Sequence, residues 1–147
     1  RDHDMTTAWS EGVGGTGVGE TIRLSAQGVQ KVHGIRLGLG FLKDQGLLER
    51  NGRPAALHFA FSDGTELDAV FEPDLYGVEM KEGVQASYHV TPLAAGYGAD
   101  RWELAQGYLD YVSFGQEIET EWIEITITDA RAGTKYEDIC ISELVVY

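Results

Sequence analysis

The sequence has a single cysteine, Cys140, among its 147 residues. One thiol cannot form a disulfide within the chain, and it provides too few ligands for the common structural zinc sites. A disulfide framework is therefore excluded. The cellular compartment stays open, because a lack of disulfides does not by itself place a bacterial protein in the cytosol.

Positive charge is also scarce, since 11 Lys and Arg residues face 24 Asp and Glu residues and the formal net charge is −13. Such a field repels nucleic-acid backbones and anionic membrane surfaces. No apolar run approaches the roughly 18 residues of a membrane-spanning helix. We therefore expect neither a nucleic-acid partner nor direct membrane insertion. The excess of carboxylates instead suits a hard cation such as Ca²⁺.

Length and composition indicate one folded domain over residues 1–147. The chain is near the commonest domain size, and its 43% hydrophobic and 24% charged residues are typical of globular proteins. It begins with Arg1 and shows no basic leader followed by an apolar segment. We therefore expect a domain excised from a longer chain.

Apolar and polar residues alternate with a period of two through most of the sequence, which predicts about seven short strands. The clearest signal is a hairpin in which Leu57, Phe59 and Phe61 precede an Asp63-Gly64 turn. The other predicted strands cover residues 20–26, 34–41, 84–90, 121–128 and 138–147.

The last predicted strand changes face part-way, which indicates a bulge near Ser142 and Glu143. Helical spacing occurs only over residues 99–112, where Gly107 weakens it and both a helix and a loop stay open. Many short strands with little helix predict an all-β fold, an antiparallel sandwich or jelly roll.

Gly12, Gly14 and Gly17 match the G-x-G-x-x-G spacing of dinucleotide-binding turns. A strand rather than a helix is predicted to follow them, and the first acidic residue beyond that strand, Asp44, is too distant to bind a ribose. No Lys-Ser or Lys-Thr pair closes a P-loop. We interpret the glycine run as a connection into a strand, with a bulged or ligand-facing turn as the feature that would explain its glycine content.

No residues form a recognisable catalytic constellation. The four histidines are single and scattered, no G-x-S-x-G motif occurs, and Cys140 lies within an apolar strand pattern. We therefore predict that the chain is not an enzyme.

Three stretches together resemble a known bacterial family. They are DHDMTTAWSEGVGGTGVGETIRL at residues 2–24, GLGFLKDQGLLERNGRPAALHFAFSDG at 38–64 and AGTKYEDICISELVVY at 132–147. They are similar to the NADase-type glycan-binding or translocation domain, a discoidin-like relative of the F5/8 type C domains. The resemblance implies a jelly-roll β-sandwich of the galactose-binding type. The family's Asn-Gly-Tyr is replaced here by residues 38–41, and residues 91–110 diverge.

The resemblance also implies a structural Ca²⁺ that joins the two ends of the chain. The matching oxygen ligands are Asp2, Asp4, Thr7 and Glu143. Trp9 matches the family's tryptophan, and we expect it to be a core residue beneath the N-terminal loop.

The function implied is that of a non-catalytic carbohydrate-recognition module in a secreted or surface-attached bacterial protein. The alternative is a protein-docking or translocation-assisting domain with no sugar ligand. An exposed aromatic across a shallow groove would favour the glycan, whereas a broad apolar patch would favour a protein partner. The candidate ligand-binding residues are Asn51, Arg53, Tyr97, Trp102 and Tyr108.

Overall fold

A computed structural model of the chain describes residues 7–12, 14–71 and 110–147. Six strands form one sheet in the order β1-β6-β2-β5-β3-β4, and each strand-to-strand ladder is antiparallel. The elements are β1 (Trp9–Ser10), β2 (Thr21–Leu39), α1 (Gln45–Arg50), β3 (Arg53–Phe61), β4 (Glu66–Val70), β5 (Asp110–Arg131) and β6 (Cys140–Val146).

The two longest strands, β2 with 19 residues and β5 with 22, connect the two halves of the sheet. The C-terminal part of β2 pairs with β6, and the C-terminal part of β5 pairs with β3. Register shifts interrupt the β2–β5 ladder at two places, and such shifts increase local twist and bending. The result is a discoidin-like β-sandwich with one short helix, which confirms the predicted fold class.

One apolar core lies between the two halves, and its residues come from alternate positions of β2, β3, β5 and β6. Its centre is aromatic: the Phe114 ring centroid lies 6.0 Å from that of Phe59 and 5.0 Å from that of Phe61. All three side chains are fully buried. Burial of one strand face explains why period-two alternation was readable in the sequence.

The predicted hairpin is confirmed, because β3 pairs with β4 around a turn in which Gly64 has a φ of 89°. The predicted bulge in the last strand is also present. Gly38 pairs with Glu143 and Leu39 with Ile141, which leaves Ser142 without a partner in the ladder. The Ser142 hydroxyl instead donates to the Gly40 carbonyl and accepts from the Leu42 N–H, each at 2.9 Å.

Other strand boundaries differ from the predicted ones. The strands predicted over residues 20–26 and 34–41 are parts of the single strand β2, and the one over 121–128 lies within β5. Residues 25–31 of β2 are exposed on both faces, so no alternation joins the two predicted segments there. The strand predicted over 84–90 lies outside the described residues.

For residues 99–112 the sequence predicts either a helix or a loop. The last three residues of this segment form neither. β5 begins at Asp110, and Val112 and Phe114 are buried on either side of the half-exposed Ser113. That alternation favours a strand over a helix. The rest of the segment lies outside the described residues.

The helix α1 was not predicted, and its signal is a capping residue rather than an apolar stripe. The Asp44 carboxylate accepts from the Leu47 N–H at 2.8 Å, which is the usual N-cap contact. At the other end the Asn51 side chain donates to the Leu47 carbonyl at 2.8 Å. Six residues are too few for a hydrophobic period to be visible.

Candidate functional site

The two ends of the described chain meet at one edge of the sheet. Trp9 pairs with Ile141 and Ser10 with Cys140. Thr7 and Glu143, two of the four predicted calcium ligands, each lie two residues from the Trp9–Ile141 pair, with the bulged Ser142 between Ile141 and Glu143. Asp2 and Asp4 lie outside the described residues.

Glu143 is 2% exposed, and one of its carboxylate oxygens accepts from the Leu144 N–H at 2.9 Å. A buried carboxylate needs hydrogen bonds or a cation to compensate for lost hydration. Within residues 7–12, 14–71 and 110–147, no group of three His, Cys, Asp or Glu side chains is arranged to hold a metal. The predicted calcium site therefore stays a prediction.

Trp9 is 36% exposed, so the prediction that it is a core residue was wrong. It lies in β1, a two-residue strand at the margin of the sheet. An edge strand has a paired neighbour on one side only, which explains the exposure of the ring.

The glycine run contains a buried carboxylate, Glu11, that the sequence reading missed. Glu11 is 6% exposed, and its Oε2 accepts from the Ile139 N–H at 2.7 Å. Its Oε1 is buried without a hydrogen-bond partner in the described structure. The loop thus attaches to the beginning of β6 through one side chain.

Gly17 explains part of the glycine content of this loop. It has a φ of 62°, and a Cβ atom there would lie 2.9 Å from the Glu11 Cγ. Neighbouring Gly15 and Gly19 have φ values of 110° and 96°. The run is a turned connection leading into β2, as predicted, and the turn closes on a protein side chain.

Replacing Glu11 by Ala should lower the free energy of unfolding by about 2 kcal/mol, because the buried Ile139 N–H would lose its acceptor. Urea denaturation of Glu11→Ala against the parent measures this change. The matched control is Glu20→Ala, which removes a half-exposed carboxylate at the other end of the loop. Equal stability of Glu11→Ala and the control would contradict the structural role given to Glu11.

Cys140 is buried and reduced, and it is 4% exposed. Burial raises the pKa of its thiol, while a hydrogen bond with Ser10 acts in the opposite direction. A raised pKa lowers the thiolate fraction, which is the nucleophilic form. Cys140 therefore lacks the exposure and the lowered pKa of a nucleophilic cysteine.

Alkylation of Cys140 by iodoacetamide at pH 8 should be more than about tenfold slower in the native chain than in urea, because reaction requires both opening and deprotonation. Mass spectrometry of quenched samples gives both rates. Similar rates in the two states would show that the thiol is accessible and would contradict its assignment as an inert core residue.

The predicted ligand-binding residues are only partly described. Asn51 donates to the end of α1, and Arg53 begins β3, where it is half-buried and pairs with Arg131. Tyr97, Trp102 and Tyr108 lie outside the described residues. Asn51 and Arg53 thus lie on either side of Gly52, between α1 and β3, and their role in binding stays a prediction.

A groove of about 330 Å³ lies where β2 leaves its ladder with β5. Ser25 pairs with Trp122 and Gln30 with Thr120, so the four residues from Ala26 to Val29 face only Glu121. We call this segment, residues 26–29, the β2 bulge. Gly28 within it has a φ of 79°, a conformation that glycine adopts readily.

The groove has an apolar base and a polar margin. Leu24, Val32, Ile123 and Val146 line it and are buried in the core or packed against it. Ser25, Gln30, Lys31 and Glu121 line it as exposed residues. No sequence pattern predicts this groove, because it depends on a register shift between two strands that are distant in the sequence.

Lys31, the one lysine among the described residues that line the groove, is paired. Its ammonium lies 2.6 Å from Glu117 and 3.6 Å from Glu119. The hydrogen bond with Glu117 raises the pKa of Lys31 and lowers the pKa of Glu117. Both ions therefore stay charged near neutral pH, and exposed pairs of this kind contribute little to stability.

The fold and the paired chain ends define a discoidin-like domain of the F5/8 type C class. The sequence matches the NAD glycohydrolase translocation F5/8 type C domain over residues 1–147, and the chain belongs to this family. The resemblance seen in the sequence motifs is thereby confirmed.

The structure is similar to the NMR structure of the Streptococcus pyogenes NAD⁺-glycohydrolase translocation domain. The TM-score is 0.52 at 16% sequence identity, and the match covers 95% of this chain and 96% of that one. At this identity the likeness establishes a shared fold. No curated protein sequence matches the chain significantly. No helix in the described part of the chain is long and apolar enough to cross a membrane.

Proposed function

We propose that this chain is a non-catalytic module of a secreted bacterial protein, and that it assists translocation of that protein by docking a protein partner. The observation that carries the proposal is the match to the translocation-domain family over the whole chain. It favours the alternative function raised by the sequence over carbohydrate recognition.

The described residues support a docking role more than a catalytic one. The Cys140 thiol is buried and has a raised pKa, and the buried carboxylates of Glu11 and Glu143 each accept a hydrogen bond from a backbone N–H. General acid–base or nucleophilic catalysis needs groups that can reach a substrate. The groove beside the β2 bulge offers an apolar base instead, which suits contact with a polypeptide side chain.

A glycan array, run with Ca²⁺ and with a chelator, tests the docking role against carbohydrate recognition. The proposal predicts no binding above background under either condition. Reproducible binding of one oligosaccharide class would replace protein docking by carbohydrate recognition as the function. Asn51→Ala and Arg53→Ala variants would then show whether the predicted polar ligand residues take part.

We further propose that Ca²⁺ binds where the two chain ends meet, with Asp2, Asp4, Thr7 and Glu143 as ligands. Support comes from the burial of Glu143 and from the β1–β6 pairing, in which Trp9, two residues after Thr7, is opposite Ile141, two residues before Glu143. An ion that binds only the native state stabilises it by an amount that rises with the logarithm of the ion concentration relative to its Kd.

Millimolar Ca²⁺ should therefore raise the melting temperature of the chain relative to a chelator, as measured by differential scanning fluorimetry. Glu143→Gln should abolish the rise, whereas Glu66→Gln, which alters an exposed carboxylate in β4, should retain it. An unchanged melting temperature in the parent chain would rule out this calcium site.

A further inference from the structure

The groove beside the β2 bulge is a built feature of the sheet. Four residues of β2 oppose one residue of β5, and Gly28 supplies the left-handed conformation that the excursion requires. Departures of this size from a ladder are found at functional surfaces more often than elsewhere. The bulge also carries Val29, which is 58% exposed.

The apolar base of the groove can accept a hydrophobic side chain. Leu24 and Val146 pack against the core and Val32 and Ile123 belong to it, yet all four line the groove. Apolar surface that continues from the core into an open groove is a favourable place for an apolar anchor.

The charges around the groove favour a basic partner. Lys31 is held by Glu117 and Glu119, and Arg23 by Glu124 at 3.0 Å. Those three carboxylates and the exposed Glu121, whose side chain has no partner among the described residues, make four anions, against the three cations Lys31, Arg23 and Arg36, the last of which lies beside the Tyr147 ring. The chain as a whole carries a net charge of −13. An anionic ligand would be repelled, and a cationic one attracted.

The aromatic arrangement argues against a sugar in the same groove. Trp122 holds the Arg23 guanidinium 4.2 Å from its ring centroid, so one face of the indole is already occupied. Tyr147 has the Arg36 guanidinium 5.7 Å from its ring centroid. Carbohydrate stacking requires an open aromatic face, and both rings already have a cation nearby.

We propose that the groove beside the β2 bulge binds a polypeptide segment of the partner in which an apolar anchor is flanked by basic residues. The anchor occupies the base formed by Leu24, Val32, Ile123 and Val146, and the basic residues face Glu121 and its neighbouring carboxylates. The proposal rests on the docking function and assigns to it a surface and a class of ligand.

The test uses NMR titration of the isotope-labelled chain with three probes. The first is a capped hexapeptide of two leucines with two lysines on each side, the second has glutamates in place of the lysines, and the third is cellohexaose. The lysine peptide should shift amide signals around the groove. The glutamate peptide should bind at least about tenfold more weakly, because like charges oppose each other.

Ala26→Trp should reduce binding of the lysine peptide at least about tenfold by filling the groove, since the new side chain is as large as the anchor. Gln27→Trp is the matched control, because Gln27 is the next exposed residue along the bulge and does not line the groove. It should bind like the parent. Glu121→Lys should lower the affinity for the lysine peptide and reduce the ratio of its affinity to that of the glutamate peptide.

Several results would overturn the proposal. The first is equal affinity of the chain for the lysine and glutamate peptides. The second is amide shift changes that are absent with both peptides or that map away from the groove. The third is unchanged binding of the lysine peptide by an Ala26→Trp variant whose melting temperature equals that of the parent. Preferential shifts at the groove with cellohexaose would assign it to carbohydrate instead. If neither peptide binds but deletion of the chain still abolishes translocation, only the groove assignment is disproved, because the partner would then dock on another surface.

Discussion

Phe114→Ala is expected to lower the free energy of unfolding by about 3–5 kcal/mol, the range found when a buried phenylalanine is truncated. Phe114 is 0% exposed, and its ring contacts those of Phe59 and Phe61. It lies in β5, the strand that links the two halves of the sheet. The truncation therefore leaves a cavity where both halves meet.

Urea denaturation followed by tryptophan fluorescence measures the loss, and Val29→Ala is the control. Val29 is an exposed residue of the β2 bulge, so its truncation should change stability by less than about 0.5 kcal/mol. A Phe114→Ala variant as stable as the control would show that the aromatic centre of the core is not where the structure places it.

Gly133→Ala should cost about 3 kcal/mol, because the new methyl group would collide with backbone rather than with a movable side chain. A Cβ at Gly133 would press on the Arg50 carbonyl and lie 2.5 Å from the Asn51 carbonyl carbon. This is where the segment before β6 docks on the end of α1, with the Tyr136 N–H donating to the Arg50 carbonyl at 2.8 Å.

The matched control is Gly12→Ala, because a Cβ at Gly12 would meet nothing within 4 Å. Thermal unfolding followed by circular dichroism should show a large drop for Gly133→Ala and a small change for Gly12→Ala. Comparable melting temperatures for the two variants would contradict the close approach of these segments.

The parts of the fold that could be predicted are those set by local chemistry. The Asp63-Gly64 turn and the alternation beside it gave the β3–β4 hairpin, since a two-residue turn and a half-buried strand each leave a direct pattern. The bulge at Ser142 was visible because the apolar residues of β6 change face there. The prediction divided β2 into two strands because residues 25–31, between the two alternating segments, are exposed on both faces.

The candidate site was less predictable, because its features depend on contacts between distant segments. Glu11 accepts a hydrogen bond from the Ile139 N–H, 128 residues away in the sequence. A single glutamate in a glycine run gives no local indication of that contact. The prediction that Trp9 is buried was wrong because it relied on the size of the side chain, whereas Trp9 lies on an edge strand and is exposed. Strands β1 and β6 pair near the two ends of the described chain, whereas the calcium ion that the family resemblance implies there stays a prediction.

The most direct test of the proposed translocation role uses the secreted bacterial protein that, by this proposal, contains the chain, and compares it with a version lacking residues 1–147. Both are produced by the bacterium in contact with cultured host cells, and immunoblots measure the amounts in the medium and in the host cytosol. The account predicts equal secretion and a large loss of cytosolic protein in the shortened version. Equal cytosolic amounts of the two proteins would contradict it.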